Sequence, residues 1–256
     1  MDINGVTAII TGGASGLGAG AGRALSAAGA KVALLDRNED LLGPTAEEVG
    51  GVGVRCDVTD DASVEAAFAQ AEQALGAARI LVNCAGIGPH ERMLSKGRAH
   101  SLELYRKVIE VNLIGTFVCC RLAVESMGKL EPDAGGERGV IVNVASISAY
   151  DSPAGGVAYG ASKAGVVGMT LPMARDLGGY GIRVMTVAPG TFETPLFRSA
   201  PGDMADIMAA RAPFPSRPGK PTEEFGELVR HIAENSFLNG EVIRVDGALR
   251  MPPHFG

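Results

Sequence analysis

The chain contains no tryptophan among its 256 residues, against 36 glycines. That contrast points to tight turns and close backbone contacts rather than to large side chains. Cysteine is scarce as well: Cys56, Cys84, Cys119 and Cys120 are the full set, and none makes a C-x-x-C pair. A zinc or dithiol motif is excluded on that spacing, and Cys56 and Cys84, which close apolar runs, read as small buried hydrophobes. His90, His100, His231 and His254 are scattered without metal-ligand spacing, so no metal site is expected. There is no basic run and the net charge is −6, which leaves nucleic-acid binding without electrostatic support. No apolar run is long enough to cross a bilayer. The start Met1-Asp2-Ile3-Asn4-Gly5 has neither the basic nor the apolar region of a signal peptide, and a cytoplasmic protein is expected.

What is present is a rhythm. Short apolar runs at 6–11, 31–36, 51–56, 80–83, 140–145, 182–188 and 242–245 alternate with longer helical segments. The runs are apolar on both faces, as strands of a covered parallel sheet must be. The spacing predicts an α/β fold: one Rossmann-type doubly wound sheet of about seven parallel strands with helices on both faces, in a single domain spanning 1–256. Three stretches break the rhythm. Segment 88–101 is polar, 130–139 is turn-rich, and 189–221 carries seven prolines, with a short helix expected near 204–210. The last follows the sixth strand at its carboxyl end, where ligands bind in open α/β sheets, so a substrate lid over 191–218 is expected.

The first strand runs into Thr11-Gly12-Gly13-Ala14-Ser15-Gly16-Leu17-Gly18. Glycines at 12, 16 and 18 would let backbone approach a pyrophosphate, with the following helix N-terminus offering free N–H groups. Asp36 closes the second strand, where a carboxylate can accept from both adenosine ribose hydroxyls and repel a 2′-phosphate. NAD is therefore expected over NADP, with Arg37 as a mild counter-signal and a helix cap as the alternative for Asp36. Asp57 and Val58 follow the third strand and suit the adenine. Cys84, Ala85 and Gly86 follow the fourth, small enough to pass close to a ribose.

Ser146 stands thirteen residues before Tyr159, and Lys163 follows four residues later. On a helix the last two share one face. A free phenol is a poor base at neutral pH, and a neighbouring ammonium favours its ionised form. The pair therefore suits proton transfer to or from a substrate oxygen held by the Ser146 hydroxyl.

Together these motifs resemble the short-chain dehydrogenase/reductase family over nearly the whole chain. Cys84 departs from the usual second asparagine. Segments 11–18, 112–117, 132–140, 168–185, 213–217 and 237–245, with Cys84 and the interruptions at 88–101 and 130–139, are similar to one subgroup. These are the type-2 3-hydroxyacyl-CoA dehydrogenases, also called 17β-hydroxysteroid dehydrogenase type 10. The resemblance implies NAD-dependent oxidation of the 3-hydroxyl of acyl-CoA thioesters, with alcohol and steroid side activities, in a homotetramer. It implies that Asn112 anchors a water linking Lys163 to solvent, and that Lys163 also holds the nicotinamide ribose. Pro189, Gly190, Phe192 and Thr194 would lie at the carboxamide. Thr191 and Glu193 depart from the small or apolar residues expected in that lid. Two other functions compete: an NADPH-dependent ketoacyl reductase, against which Asp36 argues, and a non-catalytic nucleotide-sensing scaffold, against which the intact Ser146, Tyr159, Lys163 and Asn112 argue.

Overall fold

The computed structural model describes residues 1–199 and 203–253. Its centre is a seven-stranded parallel sheet in the order β3-β2-β1-β4-β7-β8-β9. The strands are β1 (Thr7–Thr11), β2 (Lys31–Asp36), β3 (Val52–Arg55), β4 (Ala78–Asn83), β7 (Gly139–Val144), β8 (Ile182–Pro189) and β9 (Val242–Val245). Each expected strand is present, with ends moved by at most two residues. The polar segment 88–101, which breaks the strand–helix rhythm, holds a small antiparallel hairpin of β5 (Leu94–Ser95) and β6 (Arg98–Ala99).

Neighbouring residues of a strand serve opposite layers, which is why the runs are apolar throughout. Ile10, Leu34, Ile80, Val142 and Met185 pack towards α1 (Gly16–Ala27), α2 (Glu39–Glu48) and α8 (Glu227–Glu234). Ile9, Leu35, Leu81, Ile141 and Val184 pack towards α3 (Asp61–Leu75), α5 (Gly115–Met127) and α7 (Val157–Gly178). Local signals set the helix starts. Asn38 accepts the Leu41 N–H, Asp60 accepts the Ala62 N–H, and Ser101 accepts the Leu104 N–H at the head of α4 (Leu102–Ile109). α7 continues through Pro172.

One row of the sheet is polar. Thr11, Asn83, Asn143 and Thr186 are register partners across four adjacent strands. Asn83 Nδ2 donates to Asn143 Oδ1 at 2.9 Å, Thr11 Oγ1 donates to Asn83 Oδ1, and Thr186 shares a hydrogen bond with Thr170 of α7. A second buried polar centre ties the insertion before β7 to the sheet. Arg183 of β8 meets Glu137 at 2.7 Å and donates to the carbonyls of Ile232, Ala233 and Leu238. Among the described residues, no helix is long and apolar enough to cross a membrane.

Candidate active site

The sheet reverses its winding between β1 and β4, so the loops after these strands splay apart and leave a crevice at their carboxyl ends. Two connected chambers fill it, of about 580 and 620 Å³, sharing Leu17, Cys84, Gly86, Thr194 and Leu196.

The first chamber brings together residues that the sequence assigns to a cofactor. It is lined by Gly12, Ser15, Gly16, Leu17, Gly18, Asp36, Asp57, Val58, Cys84, Ala85, Gly86 and Thr194. Gly12 has φ +64°, and a Cβ there would lie 2.7 Å from the Ala85 nitrogen. The loop can thus press against the end of β4 only without a side chain. Ser15 is the N-cap of α1, but its hydroxyl caps nothing, and the first turn of the helix holds no acidic residue. Uncommitted donors and a positive helix end therefore face the chamber, a fit for a pyrophosphate. Asp36 is not the cap of α2, which is Asn38; its carboxylate accepts from the Ala14 and Asn38 N–H groups instead. This fixes Asp36 beside the glycine loop with acceptor capacity left over. Asp57 accepts from the N–H and hydroxyl of Thr59, which hold its carboxyl below the usual range. Arg37 lines the same end of the chamber.

The second chamber holds Ser146, Tyr159, Lys163, Pro189, Gly190 and Phe192. Ser146 leaves β7 just ahead of the short helix α6 (Ser148–Asp151), and its Oγ accepts the Ser148 N–H at 3.1 Å. Lys163 Nζ donates to the Val144 carbonyl at 2.8 Å and lies 5.8 Å from the centroid of the Tyr159 ring. Burial pulls this ammonium down to about 8, against the neighbouring Cys84. Burial also pushes the Tyr159 phenol up, with the Ser146 hydrogen bond opposing it. That direction differs from the expected lowering by lysine. The ammonium is spent on a backbone carbonyl and weakened by its own desolvation, so burial wins at the phenol. Phe192 is buried and stacks edge-on against Phe225 at 6.3 Å, so its ring belongs to the core.

Asn112 lines neither chamber. It sits fully buried in a π-helical turn, Glu110–Ile114, between α4 and α5. Its Oδ1 accepts the Ile87 N–H, and its Nδ2 donates to the Ile87 carbonyl and to Ser162 Oγ. Ser162 in turn donates to the Tyr159 carbonyl at 2.7 Å. Asn112 thus ties the loop after β4 to the helix carrying Tyr159 and Lys163. No spacing in the sequence singles out Ser162, although it stands directly before Lys163. The same holds for His90, whose ring lies 6.3 Å from that of Tyr159, and Met251, which lines the second chamber. No periodicity marks either residue, since both lie on irregular chain.

The sequence profile described as short chain dehydrogenase matches residues 6–205. The chain belongs to the short-chain dehydrogenase family. It is 49% identical over 255 residues to the human protein named 3-hydroxyacyl-CoA dehydrogenase type-2, covering 98% of this chain and 97% of that one. A 38% identical relative from Sinomonas cyclohexanicum, over 94% of each chain, is named cis-4-hydroxycyclohexanecarboxylate dehydrogenase. The solved structure described as 3-hydroxyacyl-CoA dehydrogenase type-2 from Mycobacterium avium superposes with a TM-score of 0.91 at 40% identity, covering 98% of both chains. As a short-chain dehydrogenase the protein is a nicotinamide-dependent oxidoreductase acting on CH–OH donors.

Proposed function

We propose that this short-chain dehydrogenase interconverts 3-hydroxyacyl-CoA and 3-ketoacyl-CoA with NAD, and also accepts compact secondary alcohols or hydroxysteroids. The observation that carries the reading is the second chamber. It places Ser146, Tyr159 and Lys163 at one end of a space otherwise walled largely by apolar side chains, including Ile147, Leu196, Phe197 and Met208. An acyl chain is matched by such walls. Beyond Pro89 and His90 at its margin, the exposed hairpin region carries Arg92, Lys96 and Arg98, a positive surface for the phosphates of CoA. The similarity to proteins named 3-hydroxyacyl-CoA dehydrogenase type-2 supports the same substrate class.

Bound NAD supplies the acceptor for the hydride leaving the carbinol carbon. Ser146 donates a hydrogen bond to the substrate oxygen and fixes it beside the phenol. Tyr159 takes the hydroxyl proton in oxidation and returns it in reduction. Lys163, anchored on the Val144 carbonyl, holds positive charge beside the phenol and offers its remaining donors to the cofactor ribose. Asn112 acts behind the site, fixing Ile87 and the Tyr159 helix in mutual position. Asp36 supports NAD over NADP, since a 2′-phosphate beside its carboxylate would be repelled.

We infer a substrate lid within 191–218: Leu196, Phe197 and Met208 line the chamber, whereas Phe214 is 83% exposed. Residues 200–202 and the side chain of Met204 lie outside the described part of that segment. A homotetramer is supported by the exposed Leu102, Ile114, Phe117 and Leu171 on helical surfaces. Light scattering on the purified chain tests that assembly. Initial rates on 3-hydroxyacyl-CoAs, hydroxysteroids and simple secondary alcohols, each with NAD and with NADP, test the activity. Turnover confined to the simple alcohols would remove the acyl-CoA reading, and a preference for NADP would remove the role of Asp36.

A further inference from the structure

We propose that the C-terminal segment 249–253 is the selectivity wall of the substrate chamber. Met251 meets the end of the substrate remote from the reacting carbon, and Asp151 is the positioning residue that holds it there. The inference rests on the reading of this chamber as the substrate site of the dehydrogenase. The substrate portion it selects is an apolar chain or ring.

The path of the chain is built for this. β9 ends at Val245 on the edge of the sheet, and two successive left-handed residues, Gly247 at φ +59° and Ala248 at φ +65°, turn the backbone back over the molecule. A left-handed alanine is costly and persists only where its surroundings enforce it. Here Asp246 does so: its carboxylate accepts the Ala248 N–H at 2.9 Å, Arg244 Nε at 2.8 Å and Arg250 Nη1 at 3.0 Å. Leu249 is then buried against Ile147 and Ala212, and Met251 packs on that cluster while lining the chamber.

The wall is measured from the reacting end of the site. Asp151 is the last residue of α6, the helix that begins two residues after Ser146. Its Oδ2 accepts the Met251 N–H at 2.9 Å, and its Oδ1 faces Arg244 Nη2 at 3.4 Å. The Ala154 N–H donates to the Pro253 carbonyl at 3.0 Å, and Ala154 lines the chamber too. On the other side of that loop the Glu91 N–H donates to the Gly155 carbonyl. The depth from the Ser146 hydroxyl to the Met251 thioether is thus fixed through one short helix and one carboxylate. An unbranched thioether is apolar and adaptable, suited to meeting chains of differing shape.

The test compares the full chain with Met251→Ala, Met251→Phe, Asp151→Ala, Asp151→Asn and the Met251→Ala/Asp151→Ala pair. Substrates are 3-hydroxyacyl-CoAs and free 2-alkanols of increasing chain length. Met251→Ala is expected to raise kcat/KM for the longest relative to the shortest chain by about tenfold, and Met251→Phe to lower it comparably. The KM for NAD should stay within about twofold. Asp151→Ala should shift the length profile as Met251→Ala does, and the pair should add little to either single change. Asp151→Asn keeps an oxygen for the Met251 N–H and should hold the wild-type profile. An unchanged length profile in both Met251 variants overturns the proposal. So does an Asp151→Ala effect that lowers kcat equally on every substrate, because that is damage at Ser146. Wild-type turnover of alkanols without acyl-CoAs would overturn the acyl-CoA reading instead, and the Met251 comparison on alkanols would still decide the wall.

Discussion

Burial pushes the Tyr159 phenol upward while Ser146 opposes it, and the sign of the pH dependence follows. Alcohol oxidation needs the ionised phenol, and a raised value displaces that form to higher pH. The kcat/KM for oxidation should therefore climb from about pH 6.5 to 8, where Lys163 still carries its charge, while reduction, which needs the protonated phenol, should not. A flat oxidation profile over that range would mean another group is the base. Tyr159→Phe should cost on the order of 10²–10⁴ in turnover with NAD affinity nearly intact, a comparison made by steady-state rates and fluorescence titration. At the other end of the crevice, Asp36→Ala should lower the NAD-to-NADP efficiency ratio at least about tenfold, or about 1.4 kcal/mol. The cofactor titration that measures this also separates ribose recognition from the bond to the Ala14 N–H. Single residues of this kind were legible in the sequence because strand ends fix their place. The glycine run, Asp36 and Ser146 follow strands whose position the apolar runs reveal. His90, Ser162 and Met251 were not legible, because contacts between irregular segments leave no period to read.

Whole elements tell the same story at larger scale. All seven main strands were visible as apolar runs, since a doubly covered sheet allows no polar face to interrupt them. The β5–β6 hairpin was hidden, because two-residue strands on the surface carry no core pattern. The π-helical turn at Glu110–Ile114 was equally silent, and it is what holds the Asn112 amide among Ile87 and Ser162. Two predictions belong here. The segment 191–218 should exchange its amide hydrogens more slowly when an acyl-CoA joins the NAD complex, with the central strands unchanged. Exchange indifferent to ligand would make it a fixed wall. In β8, Arg183→Ala would leave buried Glu137 with only the Met1 ammonium as counter-charge and the Ile232 and Leu238 carbonyls without their guanidinium donor, while Ala233 keeps the Met1 ammonium. A loss of about 3–5 kcal/mol is expected in urea unfolding, with the slope unchanged.

The molecule as a whole is one continuous sheet, and the loops that leave its two halves meet over the crevice at the carboxyl ends of β1 and β4. A ligand that bridges the halves binds only when both are folded, so its affinity adds to stability. NAD at about a hundred times its dissociation constant should contribute about 2.7 kcal/mol and raise the melting temperature by about 5–10 °C. Scanning calorimetry with and without NAD measures this, and no shift would mean that the crevice does not hold the cofactor. The polar row Thr11, Asn83, Asn143 and Thr186 has a consequence of another kind. Most of the sheet is Val, Ile, Leu and Ala, and a strand displaced by two positions would still present apolar side chains to the same layer. Such a misalignment would strand the Asn83 amide and the Asn143 Oδ1 acceptor among hydrocarbons without partners. The row therefore works as a parity check on the sheet, rejecting the near-miss alignments that hydrophobicity alone would pass.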